Sequence, residues 1–180
     1  MSTPSWYPNA KIVPSPYHDD RPNLRDISLL VIHNISLPPG EFTQNNIEAF
    51  FQGKLSADAH PFFQRISQMR VSAHCLIKRS GEIVQFVPFE KRAWHAGVSS
   101  FAGRDRCNDY SIGIELEGTD FVAYTEAQYA TLAEVTRYLL SRYPQLTPQR
   151  ITGHQYIAPL RKSDPGLSFH WSKFNKLIAN

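Results

Sequence analysis

The apolar run Ser28-Leu-Leu-Val-Ile-His33 constrains the fold of this chain more than any other segment. Its β-branched residues, and the loop-forming residues that follow it at 38–40, predict a short buried strand. A polar ring at the end of such a strand lies where a buried sheet opens towards a cleft. His33 is therefore a candidate metal ligand or catalytic base, and a packed histidine is the alternative.

A second strand is predicted at Ser111-Ile-Gly-Ile-Glu-Leu-Glu117, where the sequence alternates with period two. The three apolar residues of this segment share one face. The opposite face carries Ser111, Gly113, Glu115 and Glu117. The pattern thus predicts two carboxylates on one side of a strand.

Turn residues and helical spacing predict a hairpin and a helix between these two strands. Residues 71–78 and 82–87 flank the turn Arg79-Ser-Gly81, which favours two antiparallel strands. Apolar residues from Ile47 to Leu55 follow helical spacing after the capping candidates Asn45 and Asn46, and Gly53 stands near the expected end of the helix.

Two further helices are predicted in the last third of the chain. Thr125-Glu-Ala-Gln128 has the form of a capping box, and one apolar face continues from it until Pro144 ends the helix. A shorter helix begins near Ser168. Strands and helices mix without strict alternation, so the predicted fold class is α/β (α+β), with a mixed central β-sheet flanked by helices.

The N-terminal residues 1–27 carry five of the thirteen prolines and no clear periodicity. We expect them to wrap over the domain as an irregular arm. Nothing in the sequence has the composition of a linker between two cores. The prediction is one domain over residues 1–180.

Composition excludes several classes of protein. Hydrophobic residues make up 42% and charged residues 19% of the chain, which is enough for a packed core. The formal charge of +3 is spread over short basic pairs, so no nucleic-acid-binding face is predicted. No apolar run approaches the roughly 18 residues of a membrane span. The first ten residues lack the pattern of a secretory signal, and two cysteines give no disulfide framework, so we expect a cytoplasmic protein. Nothing in the sequence indicates an obligate partner, and we expect a monomer.

A second histidine and an aspartate extend the candidate site of His33. His154 ends the short segment Ile151-Thr-Gly-His154, and Asp164 opens an Asp-Pro-Gly turn. Asp164 taken alone is typical of a residue that bonds its own backbone in a turn. Two histidines and a carboxylate, however, are one of the ligand sets that hold catalytic zinc. His33, His154 and Asp164 form a candidate set that their spacing alone does not establish.

Six segments in the same order closely resemble the N-acetylmuramyl-L-alanine amidases: Val31-Ile-His-Asn34, Val71-Ser-Ala-His-Cys75, Ala93-Trp-His-Ala-Gly97, Ser111-Ile-Gly-Ile-Glu-Leu-Glu117, Thr152-Gly-His154 and Lys162-Ser-Asp-Pro-Gly166. The resemblance covers roughly residues 12 to 175. Within the family, it is strongest to the cytosolic members that act on 1,6-anhydromuramyl peptides in cell-wall recycling. It implies hydrolysis of the amide between the lactyl group of the muramyl sugar and L-alanine of the stem peptide.

The resemblance also implies roles for individual residues. Zn²⁺ would be bound by His33, His154 and Asp164. Glu115 would be the general base, and Lys162 would stabilise the charge that builds on the carbonyl oxygen. The choice of Glu115 over its neighbour Glu117 depends on the resemblance, not on the strand pattern.

Contacts with a small muropeptide substrate are implied for five residues that would line a groove, with the arginines facing stem-peptide carboxylates: Asn34, Arg70, Trp94, His95 and Arg106. Solvated arginines and a core position for Trp94 are the alternatives. His74, on the predicted strand beside Cys75, is expected to be a packed, hydrogen-bonded histidine.

Two other functions stay open at this point. A relative of this fold that has lost a metal ligand can bind muropeptides without cutting them, although all three candidate ligands are present here. An exported amidase that acts on the intact sacculus is the second alternative, and the N-terminal sequence argues against it.

Overall fold

The computed structural model describes residues 5–42 and 44–179. The strands are β1 Lys11–Ile12, β2 His18–Asp20, β3 Leu29–Ile35, β4 Cys75–Ile77, β5 Ile83–Gln85, β6 Lys91–Ala93, β7 Ser100–Phe101, β8 Arg104–Asp105, β9 Ser111–Glu117 and β10 Ile151–Gly153. The α-helices are α1 Asn46–Phe51, α2 Pro61–Ile66, α3 Glu126–Arg142, α4 His154–Ile157 and α5 Trp171–Ala179.

Six of these strands form one mixed sheet in the order β1-β5-β4-β9-β3-β10. The β4–β5 hairpin is antiparallel, and every other neighbouring pair in the sheet is parallel. The prediction of a mixed central sheet flanked by helices is confirmed. Strands β3 and β9 lie in the middle of the sheet, where apolar runs of the kind found at residues 29–33 are expected.

One face of the sheet packs on α3 and α5. The apolar side chains of β9 point to this face, as their alternation predicts, and pack with Leu132, Val135 and Leu139 of α3 and with Phe174 of α5. The capping box at Thr125 and Gln128 starts α3 as predicted. This face is therefore filled by core residues.

The opposite face of the sheet holds the polar side of β9. Helices α1 and α2 pack beside it through an aromatic cluster that includes Phe51, Phe63 and Phe86. Helix α4 follows β10 directly, and its Ile157 packs with Leu29 and Val31 of β3. Among the described residues, no helix is both long and apolar enough to cross a membrane.

The prediction of an irregular arm over residues 1–27 is wrong at two short segments. Strand β1 adds to the edge of the main sheet beside β5, and β2 pairs with β6 in a separate two-stranded ribbon. Strands of two or three residues are too short to show periodicity. The open edge of the main sheet at β5 also offers unpaired backbone groups with which β1 pairs. Residues 1–4 of the predicted arm lie outside the described residues.

The expected capping role of Asn45 is also wrong. Asn45 occupies the N-cap position of α1, but its side chain makes no capping hydrogen bond. Its Oδ1 instead accepts a hydrogen bond from Lys78 Nζ at 3.3 Å. A cation on the neighbouring hairpin competes here with the helix N-terminus for the amide oxygen.

Candidate active site

His33 and His154 come together because β3, which contains His33, and β10, which His154 directly follows, are parallel neighbours. Gly153, the last residue of β10, pairs in register with Ile32 of β3, so the residue after each of them lies at the same level of the sheet. Gly153 also makes room for the loop that carries Asp164. A Cβ at Gly153 would lie 2.8 Å from Pro165 Cδ, closer than two carbon atoms tolerate.

The three candidate ligand atoms form a small triangle. His33 Nδ1 lies 2.9 Å from His154 Nδ1, and Asp164 Oδ2 lies 3.0 Å from each of these nitrogens. The two imidazoles are buried, and Asp164 is partly exposed at the mouth. The fold therefore brings together the three residues that the sequence indicates as a candidate set of metal ligands.

The outer nitrogen of each imidazole, Nε2, faces away from the triangle. Both outer nitrogens contact the segment 95–96. His154 Nε2 lies 3.0 Å from Ala96 O, and His33 Nε2 lies 2.9 Å from His95 Nδ1. A carbonyl oxygen can only accept, so His154 carries a proton on Nε2, which leaves Nδ1 as the nitrogen available to a metal. Ligand histidines usually donate their other ring N–H in this way.

Burial and charge keep His33 and Asp164 in the protonation states that a metal requires. Burial lowers the pKa of His33 to about 4, although Asp164 opposes that shift, so the imidazole is neutral near pH 7. Burial by itself would raise the pKa of Asp164, but the adjacent His154 and His33 outweigh it and hold the pKa well below its usual range. Two neutral imidazoles and one carboxylate fit a zinc ion.

Glu115 stands beside the triangle with a free oxygen. Its Oε2 is buried and has no hydrogen-bond partner among the described residues. Burial raises the pKa of Glu115 well above its usual range, the charge of Asp164 adds to the rise, and Lys162 opposes it. A buried carboxyl with an unpaired oxygen and a raised pKa is a candidate for proton transfer.

The competing residues Glu117 and His74 are engaged elsewhere. Glu117 is buried, and its Oε2 accepts a hydrogen bond from the backbone N–H of Arg79 at 2.9 Å. His74 is buried and accepts a hydrogen bond from Gly113 N at 3.0 Å through Nδ1. The prediction of a packed, hydrogen-bonded His74 is confirmed.

The triangle lies in the wall of a cavity of about 550 Å³. Glu115 and Lys162 line the same cavity, which fits their predicted places near one reacting centre. The far wall is apolar and comes from α1, α2 and the segments beside them, namely Leu37, Phe50, Phe51, Phe62, Ile66, Met69 and Val71. The cavity therefore has a polar end suited to chemistry and an apolar wall suited to binding.

Three of the five predicted substrate contacts line this cavity: Asn34, Trp94 and His95. Trp94 is half-buried, and its Nε1 donates to Asp19 Oδ1 at 3.2 Å. Arg70 and Arg106 are exposed and are absent from the described lining, and Arg106 pairs with Asp109 at 3.0 Å. The roles of all five residues stay predictions.

Sequence reasoning missed two charged residues of the cavity, Asp120 and Arg161. Asp120 accepts a hydrogen bond from Asn34 Nδ2 at 2.8 Å. Arg161 donates to Ala96 O at 2.6 Å and to Val98 O at 2.7 Å, and so ties the loop of Asp164 to the segment that supports the histidines. Both residues are in loops without periodicity, and only their closeness in sequence to Glu117 and Lys162 could have drawn attention to them.

Comparison with known proteins agrees with this geometry. The model of the N-acetylmuramoyl-L-alanine amidase family matches residues 23–167, which include the triangle, Glu115 and Lys162. The chain belongs to this family. The resemblance identified from the six sequence segments is thereby confirmed, and the site described above is the candidate active site of an N-acetylmuramoyl-L-alanine amidase.

Individual family members are similar over nearly the whole chain. The 1,6-anhydro-N-acetylmuramyl-L-alanine amidase AmpD of Salmonella typhimurium (strain SL1344) is 61% identical, over 97% of this chain and 92% of that protein. The crystal structure of a selenomethionine derivative of AmpD superposes with a TM-score of 0.93 at 61% identity and covers 96% of each chain.

A more distant structure contains a bound substrate. It is the complex of the N-acetylmuramyl-L-alanine amidase AmiD from E. coli with anhydro-N-acetylmuramic acid-L-Ala-D-γ-Glu-L-Lys. Its TM-score is 0.64 at 29% identity, over 84% of this chain and 57% of the AmiD chain.

Proposed function

We propose that this chain is a zinc-dependent amidase that hydrolyses the bond between the lactyl group of 1,6-anhydro-N-acetylmuramic acid and L-alanine of its stem peptide. The observation that carries the proposal is the triangle of His33 Nδ1, His154 Nδ1 and Asp164 Oδ2, whose separations are 2.9 to 3.0 Å. If both ring protons lie on the outer nitrogens, three acceptor atoms meet with no proton between them. A cation removes the repulsion among them.

Zinc held by these residues would supply a Lewis acid for the scissile carbonyl and would lower the pKa of the attacking water towards about 7. Glu115 accepts the proton of that water, because its Oε2 is the buried, unpaired oxygen next to the triangle. The same carboxyl then gives the proton to the amide nitrogen as the bond to L-alanine breaks. A raised pKa suits a group that must both take and return a proton near neutral pH.

Lys162 stabilises the negative charge that develops on the carbonyl oxygen. Its ammonium opposes the rise in the pKa of Glu115 and adds to the lowering of the pKa of His33, so its charge is felt at the centre of the site. A cation beside a developing oxyanion lowers the barrier of acyl transfer. The short span from Lys162 to Asp164 lets one loop present both groups to the cavity.

The substrate class is supported by the names of the relatives and by the shape of the cavity. The AmpD protein at 61% identity is named as an amidase of 1,6-anhydro-N-acetylmuramyl-L-alanine. The AmiD structure contains a bound anhydromuramyl tripeptide. A cavity of about 550 Å³ fits a small muropeptide. We further propose that the protein works in the cytoplasm, in peptidoglycan recycling, as a monomer that binds neither nucleic acid nor membranes.

Metal content and product analysis together test this proposal. The purified protein should hold about one zinc per chain, lose activity to a strong chelator and regain it with added zinc. Mass spectrometry should detect release of the free peptide from anhydromuramyl-tripeptide, and much slower release from intact sacculus. Full activity after chelation would end the zinc mechanism, and binding without cleavage would favour a recognition module. Preference for the sacculus, together with protein in the periplasmic fraction, would favour an exported amidase.

A further inference from the structure

The imidazole of His95 has both of its nitrogens committed to other side chains. Its Nδ1 lies 2.9 Å from His33 Nε2, and its Nε2 lies 3.0 Å from Ser111 Oγ. Neither ring nitrogen is therefore open to a substrate, although the ring lines the cavity. His95 links a ligand of the proposed zinc site to a fully buried hydroxyl on β9.

We propose that His95 is a positioning residue, which accepts a hydrogen bond from His33 Nε2 and thereby keeps the Nδ1 lone pair of His33 aimed at His154 and Asp164. This inference rests on the zinc site of the proposed function. It gives His95 a role different from the substrate contact that the sequence predicts. The two roles have different experimental consequences.

The direction of each hydrogen bond follows from the position of the triangle. His33 faces the triangle with Nδ1, so a zinc-binding His33 carries its proton on Nε2. His95 Nδ1 must then accept, which places the proton of His95 on Nε2, from where it is donated to Ser111 Oγ. Ser111 Oγ accepts in this arrangement, and the hydrogen bond from His33 Nε2 to His95 Nδ1 keeps His33 in its useful tautomer.

The tautomer of His33 depends on that of its outer partner, whereas the tautomer of His154 does not. The outer partner of His154 is the carbonyl oxygen of Ala96, which can never donate. The outer partner of His33 is an imidazole, which in its other tautomer would donate from Nδ1 to His33 Nε2 and put the proton of His33 on the side of the metal. Ser111 Oγ is the acceptor that pairs with His95 Nε2–H when His95 Nδ1 accepts from His33.

The strand pattern provides the space for this arrangement. The His95 ring lies against Gly113, where an added Cβ would come within 2.4 Å of the ring. Ser111, Gly113 and Glu115 share one face of β9. Ser111 places its hydroxyl against the His95 ring, Gly113 leaves space for that ring, and Glu115 lines the cavity. Asn108 fixes the backbone above them, since its Oδ1 accepts hydrogen bonds from His95 N at 3.1 Å and Ala96 N at 2.8 Å.

A matched pair of variants tests the role of His95. His95→Leu removes the acceptor and keeps a side chain of similar bulk, whereas His95→Asn offers Oδ1 at about the position of Nδ1. Zinc affinity is measured by competition with a chromogenic chelator. We expect a loss of about 10- to 100-fold in His95→Leu and most of the wild-type affinity in His95→Asn. Zinc affinity equal to that of the wild type in His95→Leu would overturn the proposal.

Kinetics at saturating zinc separate the positioning role from a substrate contact. A positioning role leaves KM near the wild-type value in His95→Leu once zinc is bound, while a substrate contact raises KM in both variants and leaves zinc affinity unchanged. The second pattern contradicts the proposal. A wild-type protein that binds no zinc would instead refute the proposed function, so the two failures are distinguishable.

Ser111→Ala provides a test that does not alter either imidazole. Its backbone oxygen, which accepts from Arg21, is retained. ¹⁵N NMR of the zinc-loaded wild type should find the rings of His33 and His95 protonated on Nε2. In Ser111→Ala the buried His95 Nε2–H loses its acceptor, and zinc affinity should fall by several-fold. A zinc-loaded wild type with His95 protonated on Nδ1, or unchanged zinc affinity in Ser111→Ala, would contradict the proposal even if His95→Leu fails to fold.

Discussion

Glu115 lies opposite His33 in the register of the parallel strands β9 and β3. Register partners on parallel strands project to the same face, so this pairing puts the carboxyl of one beside the imidazole of the other. Both side chains are buried in the wall of the cavity. The central sheet itself, more than any loop, fixes the distance between the proposed base and the proposed metal site.

Removing the carboxylate of Glu115 should stop turnover without emptying the metal site. Glu115→Ala is expected to keep its zinc and to lose about 10²- to 10⁴-fold in kcat, because a positioned general base contributes that much. Zinc content by elemental analysis and kcat on anhydromuramyl-tripeptide are measured on the same sample. Turnover retained in Glu115→Ala would mean that another residue is the general base.

Asp164→Ala should lose both zinc and turnover. Asp164 is the anionic member of the triangle, and its removal leaves two neutral nitrogens, which hold zinc poorly. Elemental analysis after dialysis should find less than half of the wild-type zinc, and kcat should fall with it. Asp58→Ala, at an exposed aspartate, is the matched control and should keep both. Full zinc in Asp164→Ala would exclude Asp164 as a ligand.

The sequence predicts the strand-borne half of this site better than the loop-borne half. His33 and Glu115 are in segments whose apolar pattern specifies strands, and the pattern of β9 correctly put Ser111, Gly113 and Glu115 on one face. The order of strands in the sheet depends on tertiary structure, so spacing alone could not predict that His33 lies next to His154. The resemblance to the amidase family predicted this proximity, because it implied that both residues bind one zinc ion.

Loop residues had no comparable pattern. The support that segment 95–96 gives to both histidines depends on Asn108 and Arg161, whose hydrogen bonds are to backbone atoms distant in sequence. Backbone acceptors such as Ala96 O have no signature in the identity of the residue. The pairing of β2 with β6 was missed for a similar reason, since three exposed or half-exposed residues carry no hydrophobic period.

Asp120 should control substrate binding through Asn34. The Nδ2 group of Asn34 donates to Asp120 Oδ1 at 2.8 Å, which leaves its Oδ1 to accept from a donor in the cavity. Asp120→Ala frees the amide to flip, and we expect KM to rise about five-fold, equivalent to about 1 kcal/mol, with zinc content unchanged. Asp120→Asn retains an acceptor for Asn34 and should have a smaller effect. Equal KM values in the wild type and Asp120→Ala would refute this role.

Glu90 anchors the N-terminal segment to the body of the protein. Its Oε2 accepts a hydrogen bond from Ser5 N at 2.7 Å, and its Oε1 accepts one from Tyr143 Oη at 3.0 Å. Burial by itself would raise the pKa of Glu90, but the hydrogen bonds from Ser5 and Tyr143 outweigh burial and lower it. The ionised carboxylate is therefore the form that the folded state prefers.

Stability should depend on pH through this carboxylate. A pKa that is lower in the folded than in the unfolded state stabilises the protein above the unfolded pKa of about 4.3, and the contribution disappears as pH falls through the folded value. Glu90→Gln should lower the free energy of unfolding by about 1 to 2 kcal/mol at neutral pH, and by progressively less below about pH 4. Urea unfolding at neutral pH and below about pH 4 measures the difference in free energy of unfolding between wild type and Glu90→Gln. Glu41→Gln, at an exposed glutamate, is the control. A deficit of the same size at both pH values would mean that lost packing, and not the carboxylate charge, destabilises the variant.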